Sequence, residues 1–390
     1  MSDVKSKRML LGTITVLFWF AQYVYIPFLT PYLLSLSMTA TVVGMIVGAY
    51  GVTQLILRIP LGITIDIVKN HKIFIFIGVF LAGLSSIGIL LLDSPLMLFV
   101  ANALSGVASS TWISFTILYS SYYEKSQGTK AIGIINALMN VGTLAAFLFG
   151  GALFEPFGIR ALFILSFAFG IIGCILTLFI KPEPAGKTNV TAASLIKVMK
   201  DTKLLIVSIL GAFVWFLMFG TVYSFTTSAA KELGATGLQL GALYVLFSIL
   251  MIIGSFFVGT KAAGKLGEKN NIALSFVLLA VYCGGVAFAS GVSLFFPLQM
   301  LGGFGSGVLS SVLMSIAVRG IDSEKRSTAM GFYQSIYSLG ITFGPIVMGI
   351  LVDHTSKMVS FLSMAIISLA CAIFVLAIYK FSPLFSKEAV

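Results

Sequence analysis

The chain has 390 residues, of which 58% are hydrophobic and 9% charged, and its mean hydropathy is +1.07. A soluble domain carries about a quarter charged residues, so this composition excludes one and calls for an integral membrane protein. The net charge of +11 raises nucleic acid as a partner, and the placement of that charge, taken up below, removes it.

A helix needs about 20 apolar residues to cross about 30 Å of hydrocarbon with every backbone amide satisfied internally. Breaks at charge, Pro, Gly and Asn clusters predict twelve spans, near 9–36, 41–68, 72–92, 95–122, 130–154, 159–180, 203–230, 237–263, 271–291, 294–319, 327–352 and 356–380. They are numbered here in that order.

Span 1 follows Lys5, Lys7 and Arg8, yet it is far longer than a signal core and shows no small-residue cleavage site, so it is expected to be retained. It carries Trp19, Gln22 and Tyr23. In span 2, Arg58 stands eleven residues before Lys69, about 16 Å into the membrane, on a broad face shared with Gly62 and Asp66. Two readings of it stay open: a brace to a carbonyl or carboxylate, or a counter-ion for an anionic group on a cargo. Span 4 reads SGVASSTWIS from Ser105, and helical spacing puts Asn102, Ser105, Ser109 and Trp112 on one face. Span 5 reads GIINALMNVGTLAAFLFGG from Gly133 and includes Asn136.

Residues 181–203, KPEPAGKTNVTAASLIKVMKDTK, form the one long polar connection; Leu195, Ile196 and Met199 against Lys197, Lys200 and Lys203 suggest a short helix on the membrane surface. Span 7 holds FVWFLMF around Trp215. Span 10 reads SGVLSSVLMS from Ser306, with Gln299, Gly303, Ser306 and Ser310 on one face, and span 11 reads GFYQSIYSLGITFGPIVMG from Gly331, including Gln334. All three tryptophans lie about 11 to 13 residues from the nearest basic end, near mid-depth rather than in the interfacial belts. Cys174, Cys283 and Cys371 fall inside spans and read as packing residues.

These phrases pair up. SGVASSTWIS and SGVLSSVLMS are 201 residues apart, Trp19 and Trp215 are 196 apart, and Gly133, Gly142 and Gly151 fall on Gly331, Gly340 and Gly349 at an offset of 198, as Asn136 falls on Gln334 and Glu155 on Asp353. Such a pattern is a duplication of six spans, and an even number keeps both copies in the same sense, as parallel repeats. The expected fold is therefore an all-α polytopic membrane protein, with an N-terminal six-helix bundle (1–180), a cytoplasmic linker (181–203) and a C-terminal six-helix bundle (204–390). With the N-terminus inside, twenty Lys and Arg residues fall on the cytoplasmic side, and only Arg160, Lys231 and Lys357 outside. Basicity thus reports topology: both termini cytoplasmic, and no nucleic-acid partner.

In this organisation the chain resembles the major facilitator superfamily over its whole length, above all its twelve-helix drug and metabolite exporters. In RIPLGITIDIVKNHK, Gly62 and Asp66 match the family's loop motif G-x-L-x-D-x-x-G-R-R/K, while Thr64, Lys69 and Asn70 depart from it. Span 5 is similar to the exporter motif G-x8-G-x3-G-P-x2-G-G in Gly133, Gly142, Gly150 and Gly151, with Ala146 and Phe147 replacing Gly-Pro; span 11 keeps that pair as Gly344 and Pro345. The family's arginine in span 4 is replaced by Asn102. The resemblance implies alternating access about a cavity lined by spans 1, 4, 7 and 10. Trp19, Gln22, Tyr23, Arg58, Asn102, Ser105, Ser109, Trp112, Asn136, Trp215, Gln299, Ser306, Ser310 and Gln334 are its candidate cargo residues. Gly62, Asp66, Gly142, Gly150, Gly151, Gly340, Gly344 and Pro345 are its candidate gating residues. Packing and close helix approach are the competing reading for the Ser and Gly faces and for the tryptophans.

No acid falls in the middle of a span, no metal cluster or cofactor motif can be assembled, and no nucleophile with a base points to an enzyme. The expected function is export of small neutral or lipophilic molecules by a monomer in the cell membrane, a bacterial inner or plasma membrane, with proton exchange through Asp66 or uncoupled facilitation both open. The alternative is import of a small anionic or polar metabolite held by Arg58.

Overall fold

The computed structural model describes residues 2–68, 70–124, 127–181, 200–319, 321 and 326–381, apart from the side chains of 2, 3, 63, 66, 67, 128, 129 and 326–328. Among the described residues every regular element is helical. Spans 2, 3, 8, 9, 11 and 12 are the continuous helices Ala40–Val68, His71–Leu91, Gly237–Phe257, Glu268–Ala287, Arg326–His354 and Lys357–Phe381. Spans 5 and 6 run together as Gly128–Leu178 but part at Gly158, whose φ of 70° is open to glycine and strained for other residues, so the described residues hold twelve membrane-length crossings. Large apolar side chains such as Leu91, Phe149, Phe256 and Ile373 stand exposed on the bundle's surface, as lipid requires.

Several predicted boundaries shift for local reasons. Span 8 stops at Phe257 instead of 263, because Thr260 caps a separate helix, Lys261–Leu266, by accepting from the Ala263 N–H at 3.3 Å. Span 4 is two helices, Pro95–Ser110 and Trp112–Ser121, hinged at Thr111. Span 1 is likewise two, Ser2–Tyr23 and Ile26–Ser35, because Pro27 has no N–H to return to the Tyr23 carbonyl. Span 7 is interrupted at the matching depth by other means: Thr202–Gly220 passes through a π-helical turn, Thr221–Phe225, into Thr226–Glu232. There Ser224 Oγ donates to the Phe219 carbonyl at 2.5 Å and Thr221 Oγ1 to the Leu217 carbonyl at 2.6 Å, satisfying backbone acceptors around the bulge. The expected surface helix of the linker lies outside the described residues.

The two ends of the bundle differ. At the basic end, Arg8 donates to the Tyr122 carbonyl, Lys72 to the Leu178 carbonyl at 2.6 Å, and Glu268 takes both Arg319 and the Tyr379 hydroxyl at 2.6 Å. The far end is closed by the two halves of the chain gripping each other. Span 2 lies along span 11 and span 5 along span 8, and glycines make the approach possible. A methyl group on Gly151 would stand 3.2 Å from the Gly237 carbonyl of span 8; one on Gly349 would strike the Ala40 carbonyl of span 2.

The glycines also record where contact ends. Eighteen residues are five helical turns, so Gly133 lies on the face of Gly151 and Gly331 on that of Gly349, while Gly142 and Gly340 lie opposite. The middle pair presses on the first helix of its own half, a methyl on Gly142 coming within 2.5 Å of the Val16 carbonyl and one on Gly340 striking the Ala212 carbonyl. Around Gly133 and Gly331 no described atom lies within 4 Å of the Cβ position. Among the described residues, spans 5 and 11 thus touch the other half beside Gly151 and Gly349 and meet nothing beside Gly133 and Gly331.

Candidate functional site

A narrow cavity of about 30 Å³, measured at the centres of water-sized spheres, lies between spans 1, 2, 4 and 7. Tyr23, Tyr50, Phe219 and Tyr223 form its aromatic wall, and Gln22, Asn102 and Ser105 its polar side. The Tyr50 and Phe219 rings stack at 5.8 Å and 13°, joining the two halves face to face, and Phe219 meets Tyr223 at 4.9 Å.

The polar side is held by hydrogen bonds. Gln22 Nε2 donates to Ser109 Oγ at 2.8 Å and to the Ser105 carbonyl at 3.0 Å, and the Tyr50 hydroxyl donates to the same Ser109 Oγ at 2.8 Å. Asn102 spends its amide N–H groups on the Ile46 and Val47 carbonyls, and Ser105 donates to the Asn102 carbonyl at 2.6 Å, so both brace span 4 against span 2 while lining the cavity. Gly106 completes the brace, its Cα face against the Tyr50 carbonyl. Such a lining offers ring faces, hydroxyls and amides without a charge, which suits a largely apolar ring system.

The three tryptophans do not form one cluster. Trp19 lies edge-on to Trp112 at 5.3 Å, between spans 1 and 4, with its indole N–H buried and unpartnered. Trp215 stacks instead on Tyr337 of span 11 at 5.1 Å and touches Phe219 at 5.9 Å. Gln299, Ser306 and Ser310 share a face as expected but lie outside the cavity lining, because neighbouring Gly302 and Gly303 turn span 10 onto Tyr282 and the Phe247 backbone. The Gln299 amide and both hydroxyls have no hydrogen-bond partner there. Asn136 and Gln334 are half-buried, also outside the lining.

Arg58 is half-buried in span 2, and its Nη1 donates to the Tyr337 hydroxyl at 3.2 Å. Its Nε is buried without a partner, and among the described side chains no carboxylate pairs with it. An arginine at mid-membrane costs about 2.5 to 3.5 kcal/mol on insertion scales. Of the two sequence readings, the brace is to a phenol rather than to a carbonyl or carboxylate.

Among the gating candidates, Gly150 abuts the Val24 carbonyl where span 1 breaks, and Gly344 the Phe216 carbonyl beside the span 7 bulge; Gly44 of span 2 rests on the Pro345 carbonyl. Gly62 has open space beside it among the described residues, and the Asp66 side chain lies outside them. Two contacts between the halves escape sequence reasoning. Asp353 accepts from the Ala40 and Thr41 N–H groups at 2.8 and 2.7 Å, and Glu155 from the Gly237 N–H at 2.5 Å, each at the first turn of a helix from the other half. The repeat pairs the two acids; it carries no trace of their partners. Tyr50, Phe219, Tyr223 and Tyr337 were also missed, although Trp215, Phe219 and Tyr223 form a stripe spaced by four.

The sequence profile of the Major Facilitator Superfamily matches residues 11–293 and 219–388. An uncharacterized MFS-type transporter of Methanocaldococcus jannaschii is 22% identical over 84% of this chain and 86% of its own. Multidrug resistance protein 2 of Bacillus subtilis is 23% identical over 84% of each chain. The crystal structure of the nucleoside transporter NupG superposes with a TM-score of 0.77 at 16% identity, covering 97% of this chain and 100% of that one. Twelve crossings, glycine-lined contacts between the halves and a cavity at their junction agree with that match: this chain belongs to the Major Facilitator Superfamily of membrane transporters.

Proposed function

We propose that the protein exports small lipophilic, ring-bearing molecules by alternating access. In this reading residues 1–180 and 204–390 rock as two bodies about the aromatic cavity, joined by the linker at 181–203. The basic end with both termini faces the cytoplasm, following the charge distribution, and the protein works as a monomer in the cell membrane. The observation that carries the reading is the cavity itself, walled by Tyr23, Tyr50, Phe219 and Tyr223 and free of charge. The far end, sealed by Gly151, Gly349, Glu155 and Asp353, makes this the state that receives cargo from the cytoplasm. The multidrug resistance relative supports the direction and cargo class.

The test is a thermal-stability panel of lipophilic aromatics, sugars and small organic anions on purified protein, followed by flux of the stabilising compounds in proteoliposomes. A ligand at 100 times its Kd adds about 2.7 kcal/mol. Stabilisation and flux of the aromatic compounds are expected; a protein that no aromatic compound stabilises and that moves no solute overturns the reading. Coupling through Asp66 has its own check: Asp66→Asn should lose accumulation driven by a pH gradient while retaining cargo binding, and unchanged pumping by the variant excludes it.

A further inference from the structure

Arg58 lies on the same helix as Tyr50 of the aromatic wall, eight residues or about 12 Å further toward the basic end. Its guanidinium carbon stands 5.5 Å from the Tyr337 ring centre; Tyr337 stacks on Trp215, Trp215 meets Phe219 at a 46° tilt, and Phe219 stacks on Tyr50. A run of aromatic contacts therefore connects the cavity to one cation. Among the described side chains that cation is charge-unpaired: its contact is a neutral phenol, and its Nε is buried without an acceptor. A guanidinium presents five N–H donors in a flat fork and accepts nothing, so the group that completes it is an oxyanion, held by two parallel hydrogen bonds. Aromatic walls bind apolar rings of any charge, whereas Arg58 discriminates among them.

We infer that the cargo is an amphipathic organic acid, with its ring system against the aromatic wall of Tyr23, Tyr50, Phe219 and Tyr223 and its carboxylate, sulfonate or phosphate on Arg58. The inference rests on the cavity reading above and narrows it: Arg58 sets specificity, and the rings supply affinity. A lipid headgroup offers the same kind of anion, and the probes below distinguish the two sources.

Four probes separate the elements: 1-naphthoate, its neutral analogue 1-naphthalenemethanol, the cation 1-naphthylmethylammonium, and acetate, an anion with no ring. With purified protein in a neutral detergent, calorimetric titration should find naphthoate about 10- to 100-fold tighter than the alcohol, the charge-assisted hydrogen bonds being the difference. The ammonium should bind more weakly than the alcohol, and acetate should give no heat. Arg58→Gln should bring naphthoate down to the alcohol's affinity while leaving the alcohol unchanged, which also shows that the variant is folded; Arg58→Lys should recover part of the preference. Equal binding of alcohol and acid by the natural protein, or an acid preference that survives Arg58→Gln, overturns the inference and leaves the aromatic cavity standing. Binding by short-chain phosphatidylglycerol, blocked by Arg58→Gln, with none by naphthoate, assigns the anion to lipid and overturns it as well. If no ring-bearing probe binds, the cavity reading fails and the inference with it.

Discussion

Asp353 and Glu155 stand 198 positions apart and make the same contact with exchanged halves: each carboxylate from the end of its own helix caps the first turn of a helix belonging to the other half. A helix N-terminus carries unsatisfied N–H groups and the positive end of its dipole, so an acid there is held by both. Lys357 pairs with Glu232 beside one contact, and Lys231 sits 5.0 Å from the Phe154 ring beside the other.

These two caps stabilise the closed far end. Asp353→Asn and Glu155→Gln keep an acceptor but remove the charge, and each should cost that closed state about 0.5 to 1 kcal/mol. Spin labels at Thr39 and Ser356 should report a larger long-distance population in Asp353→Asn, and more again in the double variant. A distance distribution identical to the parent's removes the caps from the gate.

Bulk at Gly133 and Gly331 should matter only for the opposite state. A Cβ added at Gly133 or Gly331 meets no described atom within 4 Å, so in Gly133→Leu and Gly331→Leu melting of the detergent-purified protein should shift little, while flux in proteoliposomes falls at least about tenfold. Gly349→Leu should instead destabilise this state, since its side chain strikes the Ala40 carbonyl. Normal flux in the Gly133 and Gly331 variants would show that these faces never approach the other half.

The middle glycines of the repeat predict matched costs. Gly142→Ala and Gly340→Ala each drive a methyl into the carbonyl of Val16 or Ala212, and overpacking against backbone costs about 1 to 3 kcal/mol. Both should lower the melting temperature by similar amounts, and strongly unequal shifts would mean that the two halves do not share this joint.

The cavity network gives a fourth expectation. Gln22→Leu leaves Ser109 with the Tyr50 hydroxyl alone and adds an apolar wall. With about 1 kcal/mol per neutral hydrogen bond, affinity for an aromatic cargo that bonds Gln22 should fall about fivefold, measured by tryptophan quenching. A variant that binds as tightly as the parent places the cargo away from span 1.

Much of this architecture is legible in the sequence, because bilayer thickness sets span length and small residues mark close helix approach. Periodicity fixed which residues share a face, as with Gln299, Ser306 and Ser310 on span 10, but not which neighbour that face meets; Gly302 and Gly303 decide that through space. The three tryptophans sit at similar depth in the sequence and in two separate clusters in the fold, since depth says nothing about rotation about a helix axis. The aromatic wall was hidden for a different reason. Among 34 Phe and 13 Tyr residues, residue type alone cannot single out Tyr50, Phe219 and Tyr223, and only the meeting of spans 2 and 7 does so.

The glycine spacing has one more consequence. With the middle glycine resting on a helix of its own half and the outer two nine residues to either side, the rocking proposed above would make spans 5 and 11 levers with a fulcrum at Gly142 or Gly340 and equal arms of about 14 Å. Equal arms give equal stroke: whatever gap opens beside Gly151 is the gap that closes beside Gly133. The widest passage at one face of the membrane is then tied to the tightest seal at the other, by two intervals of nine residues written once in each half.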